Sequence, residues 1–272
     1  MRPRLFKVEG AGNDFLLGIG EWADRLAHDP KLVRRLCDRR LGVGADGAIA
    51  LAAESGDRVR LVHRNADGGE TGFCANGTRC AARAAVEVLG CEAQLVVETA
   101  WRPISAEVDG LQVTLDIPAP DEPPCHPEIA ASDSMKDLQF VRVGVPHLVV
   151  SVADIAGLDL PAVGPPLRSH EALGPEGANV SFYETDSDGA VSLRTWERGV
   201  EGETLSCGSG MVAVALVVMA ARDLRRLEVA PASGDRLTVE ALGQPPRCPI
   251  RLTGPARFIA EIEPSEDFLR NL

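Results

Sequence analysis

Residues 70–77 read ETGFCANG and residues 203–210 read ETLSCGSG. The two stretches share the frame Glu-Thr-x-x-Cys-x-(Asn/Ser)-Gly, and each opens a run rich in small and apolar residues, TRCAARAAVEVLG after the first and MVAVALVVMAA after the second. Their cysteines, Cys74 and Cys207, stand roughly 130 positions apart, about half the chain, and self-similarity at such a distance implies two halves of similar fold. A chain of 272 residues is long enough for two domains. The second helix is apolar on nearly every side, so it must be buried all round, inside a sheet that curls about it. By analogy the helix after Cys74 occupies the equivalent place.

Short β-branched runs bounded by turn residues surround each helix. RVRLVHRN precedes the first, and QLVVETA, ISAEV and LQVTLDI follow it. VRVGV, HLVVSVAD, NVSFYET and VSLRTWE precede the second, and RLEVAPA, DRLTVEAL and ARFIAEIE follow it. Spacing this short favours hairpins over alternating βαβ units. The fold expected is therefore α+β, with two similar domains, each a curled and mainly antiparallel sheet around a central helix. The Pro-rich stretch IPAPDEPPCHPE (117–128) is the best linker, which gives domains of residues 1–118 and 119–262, with a tail of residues 263–272 packing back on the first.

A cysteine at a helix start has a particular chemistry. The first turn leaves backbone N–H groups unpaired and carries partial positive charge, so it favours an anion and lowers the pKa of a thiol beside it. Cys37, Cys80, Cys91, Cys125 and Cys248 stand in no such frame and read as small core or surface residues. Two thiols presented by two similar halves suggest inversion of a stereocentre, in which one base removes an α-proton and an acid returns one from the opposite face, with no cofactor. The helix starts would hold the α-carboxylate and stabilise the charge that builds on it. His147 in GVPH and Glu197 in WERG lie near strand ends and can exchange a proton with a sulfur. His28, His63, His126 and His170 read as structural.

Composition removes several function classes. A net charge of -12 and a pI near 4.9 disfavour a nucleic acid or an anionic membrane as partner. The N-terminus lacks the apolar segment of an export signal, and the longest apolar run is too short to span a bilayer. Seven cysteines with no C-x-x-C pair argue against a disulfide framework and fit the reducing cytoplasm. Residues 42–47, GVGADG, match a dinucleotide-binding pattern but follow a basic helix, KLVRRLCDRRL, instead of a strand. GAGND (10–14) has no following Lys-Ser or Lys-Thr to make a phosphate loop, and Asn13 within it is more useful as an amide for a polar ligand. No cluster has zinc spacing, so no metal is expected.

Six blocks, FKVEGAGNDF, LGVGADG, RNADGGETGFCANGTRC, VGVPH, ANVSF and ERGVEGETLSCGSG, occur in this order. Together they resemble the diaminopimelate epimerase family. The resemblance implies conversion of LL- to meso-diaminopimelate without pyridoxal phosphate or any other cofactor, a step towards lysine and peptidoglycan, by proteins that are typically homodimers. It matches Cys74 and Cys207 to the catalytic pair, with His147 and Glu197 as the polar residues beside it. It matches Asn13, Asn65, Asn76, Asn179 and Arg198 to substrate-binding positions, and Gly208 and Ser209 to the anion-binding helix start. Ala75 stands where the family commonly has glycine, so that substrate would be met through its N–H in a slightly more crowded approach. Val145 replaces an asparagine that many members place before the Pro-His pair, ERGVEGET is one residue longer than the common form, and Gly47 replaces a glutamine of some members. These departures leave the two thiols intact and bear on the distal carboxylate, for which Arg198, Asn65 and Asn179 are available. The alternatives are a racemase for another amino acid on the same scaffold, and a hydrolase or transferase with Cys207 as nucleophile, His147 as its base and Glu197 as the orienter.

Overall fold

The computed structural model describes residues 4–132, 135–187 and 189–270. In the first half the elements are β1 (Arg4–Gly10), β2 (Asn13–Ile19), α1 (Glu21–His28), α2 (Pro30–Cys37), β3 (Gly47–Ala53), β4 (Arg58–Asn65), α3 (Ala75–Ala84), β5 (Gln94–Glu98), β6 (Pro103–Asp109) and β7 (Gln112–Ile117). There follow β8 (Met135–Val143), β9 (Val145–Val152), α4 (Leu160–Arg168), β10 (Asn179–Thr185), β11 (Val191–Glu197), β12 (Gly202–Thr204), α5 (Gly208–Arg222), β13 (Arg226–Pro231), β14 (Leu237–Ala241) and β15 (Ile250–Pro255). The chain ends through β16 (Arg257–Ile262) and α6 (Glu266–Arg270).

Contacts divide the chain into one unit of Met1–Thr114 with Pro255–Leu272 and a second of Leu115–Gly254. The division thus falls at Thr114 against the 118 expected, and the chain returns to the first unit at Pro255 against 263. Pairing explains both differences. The Pro-rich stretch lies along the second unit, where Cys125 exchanges backbone hydrogen bonds with Phe140. At the other end β16 pairs antiparallel with β1. In the tail, Phe268 packs on the core around Leu32 and Leu36. The last two residues of that tail lie outside the described residues.

The strand order of the first unit is β16-β1-β2-β3-β4-β5-β6-β7 and that of the second is β15-β14-β13-β11-β10-β9-β8, with β12 beside β11. Each unit is antiparallel except at two junctions. These are β2 with β3 and β4 with β5 in the first, and β9 with β10 and β11 with β13 in the second. Parallel neighbours need a crossover, and helices sit in all four: α1 and α2, then α3, in the first unit, and α4, then α5, in the second. The internal repeat is therefore one of topology as well as of a motif. One difference from the sequence reading is VRVGV, which is not a strand but the β8–β9 hairpin, broken at Gly144 where φ is 69°.

α3 touches strands β1 to β6, and α5 touches β8, β9, β10, β13 and β14. One helix is only about 10 Å across, so each sheet must curl to reach it with so many strands. Every residue from Gly208 to Met219 is buried, as an all-apolar helix requires. α3 is buried from Ala75 to Ala82, including Arg79. Among the described residues, no helix is long and apolar enough to cross a membrane.

Candidate active site

Both cysteines cap their helices. Cys74 is the N-cap of α3 with φ -142° and ψ 108°, and Cys207 is the N-cap of α5 with φ -120° and ψ 106°. The backbone is extended at both positions, and the Cys74 side chain reaches the N–H groups of its first helical turn. The Cys74 sulfur accepts from the Gly77 N–H at 3.5 Å. Cys207 is buried, and Cys74 is half-buried.

Around Cys74 the first unit supplies amides. Asn13, at the start of β2, places its Oδ1 3.7 Å from the Cys74 sulfur and 3.3 Å from Asn76 Nδ2. Asn13 Nδ2 donates to Asp46 Oδ2 at 2.8 Å, and Arg79 Nη2 donates to Asn76 Oδ1 at 2.8 Å. Asn76 and Ala75 are fully buried in the first turn. Asn65 closes β4, on the same face as His63 and Leu61 by strand alternation.

Around Cys207 the second unit supplies hydroxyls and an imidazole. The Cys207 sulfur is 3.7 Å from Ser209 Oγ, which lies 2.9 Å from His147 Nε2. His147 Nδ1 is 3.3 Å from Ser181 Oγ, and Ser181 is 3.4 Å from Thr195 Oγ1. Burial pushes the His147 imidazole down to about 3, with Arg198 adding to the shift, so the ring is neutral. His147 Nε2 thus lies beside Ser209, which in turn neighbours the Cys207 sulfur. Glu197, at the end of β11, accepts from the Thr204 hydroxyl at 2.8 Å. Asn179 Oδ1 accepts from the Arg198 backbone N–H at 2.8 Å, and Arg198 Nη1 pairs with Glu176 at 2.9 Å.

Strand register makes the two half-sites comparable residue by residue. Phe15 pairs with Gly47, and Ile49 with His63, in the first unit. At matching places His147 pairs with Asn179, and Ser181 with Thr195, in the second. The helix-start glycines agree with this match. A Cβ on Gly77 would lie 3.3 Å from Ile49 and 3.6 Å from Phe15, whereas one on Gly210 would lie 2.7 Å from Ser181 Oγ. Positions that are Phe15 and Ile49 in one half are thus His147 and Ser181 in the other. Asp46, Arg79, Ser181 and Thr195 were not identified from the sequence. Only strand register brings the last two to His147. Asp46 lies inside GVGADG, which leads from α2 into β3 and so lacks the strand-to-helix setting of a dinucleotide site.

Two repeated α+β units of this topology place the chain in a known fold class. It is shared with a hydroxyproline epimerase from Agrobacterium vitis, at a TM-score of 0.72 and 19% identity over 96% of this chain and 90% of that one. A PhzF-family phenazine biosynthesis protein from Bacillus anthracis gives a TM-score of 0.72 and 16% identity over 97% and 100%. At such identities the likeness is one of fold. The diaminopimelate epimerase family model matches residues 5–115 and 139–259. Diaminopimelate epimerases from Archaeoglobus fulgidus (38% identical, covering 80% of this chain and 81% of the relative) and Moorella thermoacetica (33%, 92% and 95%) are among its relatives. The chain belongs to the diaminopimelate epimerase family, and it is an isomerase.

Proposed function

We propose that the protein interconverts LL- and meso-diaminopimelate, with Cys74 and Cys207 as the two proton-transfer groups and no cofactor. The observation that carries this reading is the repeated N-cap thiol, each beside its own set of buried polar groups. One sulfur, as thiolate, takes the α-proton. The electron pair left on carbon delocalises into the carboxylate, and the other sulfur, as thiol, delivers its proton to the opposite face. The two sulfurs end with their protonation states exchanged. Gly208, Ser209, Ala75 and Asn76 supply the first-turn positions that would hold the carboxylate. Arg198, Asn65 and Asn179 are assigned to the distal amino-acid head, with Glu176 orienting the Arg198 guanidinium.

The hydrolase reading needs His147 as a base, and a neutral ring held by two serine hydroxyls and pushed to about 3 is a poor one. A racemase of a simpler amino acid is the stronger rival, because the Val145 side chain offers no hydrogen bond at the start of β9. Incubation in D2O with LL- and meso-diaminopimelate, and separately with L-lysine, separates the two. α-Deuterium in diaminopimelate with little in lysine is expected; the reverse would end the diaminopimelate assignment. We also assign a homodimer in the cytoplasm, supported by Ile259 standing 56% exposed on the edge strand β16 and by seven free cysteines. Sedimentation of the protein and of an Ile259→Lys variant tests the dimer.

A further inference from the structure

Arg79 is fully buried, and a guanidinium keeps its charge at any working pH. Placing such a group inside a small-residue helix is costly unless it is held and has a purpose. Its Nε donates to the Pro255 carbonyl at 3.3 Å, and its Nη2 begins a chain that runs towards the thiol. Arg79 Nη2 donates to Asn76 Oδ1 at 2.8 Å, Asn76 Nδ2 donates to Asn13 Oδ1 at 3.3 Å, and Asn13 Nδ2 donates to Asp46 Oδ2 at 2.8 Å. All three bonds point the same way, from a cation to a carboxylate. A guanidinium can only donate and an ionised carboxylate can only accept, so the two ends fix both amide orientations between them. The carboxylate end is itself anchored, since Asp46 Oδ1 accepts from Arg39 Nη2 at 2.7 Å and Asp46 Oδ2 from the Asp14 N–H at 3.3 Å. Aligned hydrogen bonds of this kind polarise one another.

The product of that alignment is the Asn13 oxygen, an acceptor set 3.7 Å from the Cys74 sulfur. A flipped Asn13 would turn its NH2 to the thiol instead. The groups described around Cys207 are different. The residue five positions after Cys207 is Val212, where Arg79 stands five after Cys74, and Cys207 is accompanied by Ser209 and a neutral His147.

We propose that Arg79 and Asp46 are positioning residues, the two charged ends of an amide chain that holds Asn76 and Asn13 in the orientation Cys74 needs. The two thiols are then set by different means, one by a fixed pair of charges and one by hydroxyls. The proposal rests on the reading of Cys74 as a proton-transfer group.

The test uses Arg79→Met, Asp46→Asn and their combination. Asp46→Asn keeps shape and an acceptor but adds an NH2, so it frees Asn13 to flip while disturbing the fold least. Each single variant should lower kcat for diaminopimelate by about 30-fold or more with KM within about threefold, and the pair together should lose little more than the worse single, because both ends hold one chain. Iodoacetamide alkylation at pH 7.5, followed by peptide mapping, supplies a readout that a purely structural role would not move. In Asp46→Asn, where Asn13 can turn its NH2 to the sulfur and favour the thiolate, the Cys74 rate should rise at least about fivefold while the Cys207 rate stays within about twofold. If Arg79→Met does not fold, Asp46→Asn decides, with its kcat loss at near-constant KM. An equal change or no change at both thiols, losses that multiply independently, or full kcat in Asp46→Asn would each overturn the proposal. Alkylation needs no substrate, so a failed diaminopimelate assay with the thiol asymmetry intact would discredit the substrate reading alone.

Discussion

Two histidines buried as neutral rings make the fold sensitive to mild acid. His63 lies at the base of the first half-site against the edge of Phe15, and neither ring nitrogen has a hydrogen-bond partner. Burial pushes it down to about 4, and His147 down to about 3. In the unfolded chain each titrates near 6.5. Folded values below the unfolded one mean that the unfolded chain takes up protons first as pH falls. The stability these groups contribute is therefore fully present above about 6.5 and is lost progressively below it. Between pH 7 and pH 5 the loss is about 2 kcal/mol for each ring, roughly 4 kcal/mol together. At pH 5 both native rings are still neutral, so this figure depends little on where below 5 each one titrates.

Paired carboxylates do not confuse the window. Burial raises the Asp14 carboxyl, but hydrogen bonds from Arg39 and Lys7 outweigh that and hold it at about 2, so its contribution is lost only as pH falls below about 3.9. The assay is urea unfolding followed by circular dichroism at pH 7 and pH 5, at one ionic strength, for the wild type and for His63→Leu. Because His63 has no partner to orphan, the variant should lie within about 1 kcal/mol of the wild type at pH 7. Its drop on acidification should be about 2 kcal/mol instead of about 4. An identical drop in both proteins would refute the assignment of half the effect to His63.

The equivalent glycines should respond differently to alanine. In Gly77→Ala the new methyl meets the flexible end of Ile49 at 3.3 Å, so a helix gain of up to about 1 kcal/mol should survive in Tm. In Gly210→Ala it meets Ser181 Oγ at 2.7 Å and should displace the His147 support, lowering kcat/KM about tenfold or more. Cys74→Ala and Cys207→Ala should each lose stereoinversion by about three orders of magnitude with an unchanged circular dichroism spectrum; full activity in either would end the two-base mechanism. Arg198→Ala should narrow the preference for diaminopimelate over lysine, measured as the ratio of kcat/KM values, because lysine lacks the second carboxylate.

What the sequence made legible followed from local rules. The cysteine frame marked both helix starts because N-caps are set by neighbours in sequence, and the all-apolar run after Cys207 could only be a buried helix. β4, β10 and β11 were read in full because their β-branched patterns are uninterrupted. The parallel junctions were not read, since they depend on which strands meet after a helical crossover. Ser181 and Thr195 look like ordinary strand residues, and only register brings them to His147. Arg79 was hidden for a different reason. An arginine on an alanine-rich helix ordinarily reaches solvent, and only the curled sheet around α3 reveals that this one is enclosed.

Duplication supplied two helix starts with the same backbone, but the two-base mechanism we propose asks the two thiols to trade roles with reaction direction. Whatever holds each sulfur must tolerate both of its protonation states. On the Cys207 side the Ser209 hydroxyl can rotate, donating to a thiolate or accepting from a thiol, and its partner His147 stays uncharged throughout because its protonation lies near pH 3. On the Cys74 side the Asn13 oxygen can only accept, so it serves the thiol, while the Gly77 N–H, already 3.5 Å from the sulfur, serves the thiolate. Each half thus offers its sulfur both a donor and an acceptor without changing its own charge. The repeat keeps a donor and an acceptor beside each sulfur while replacing the side chains that supply them.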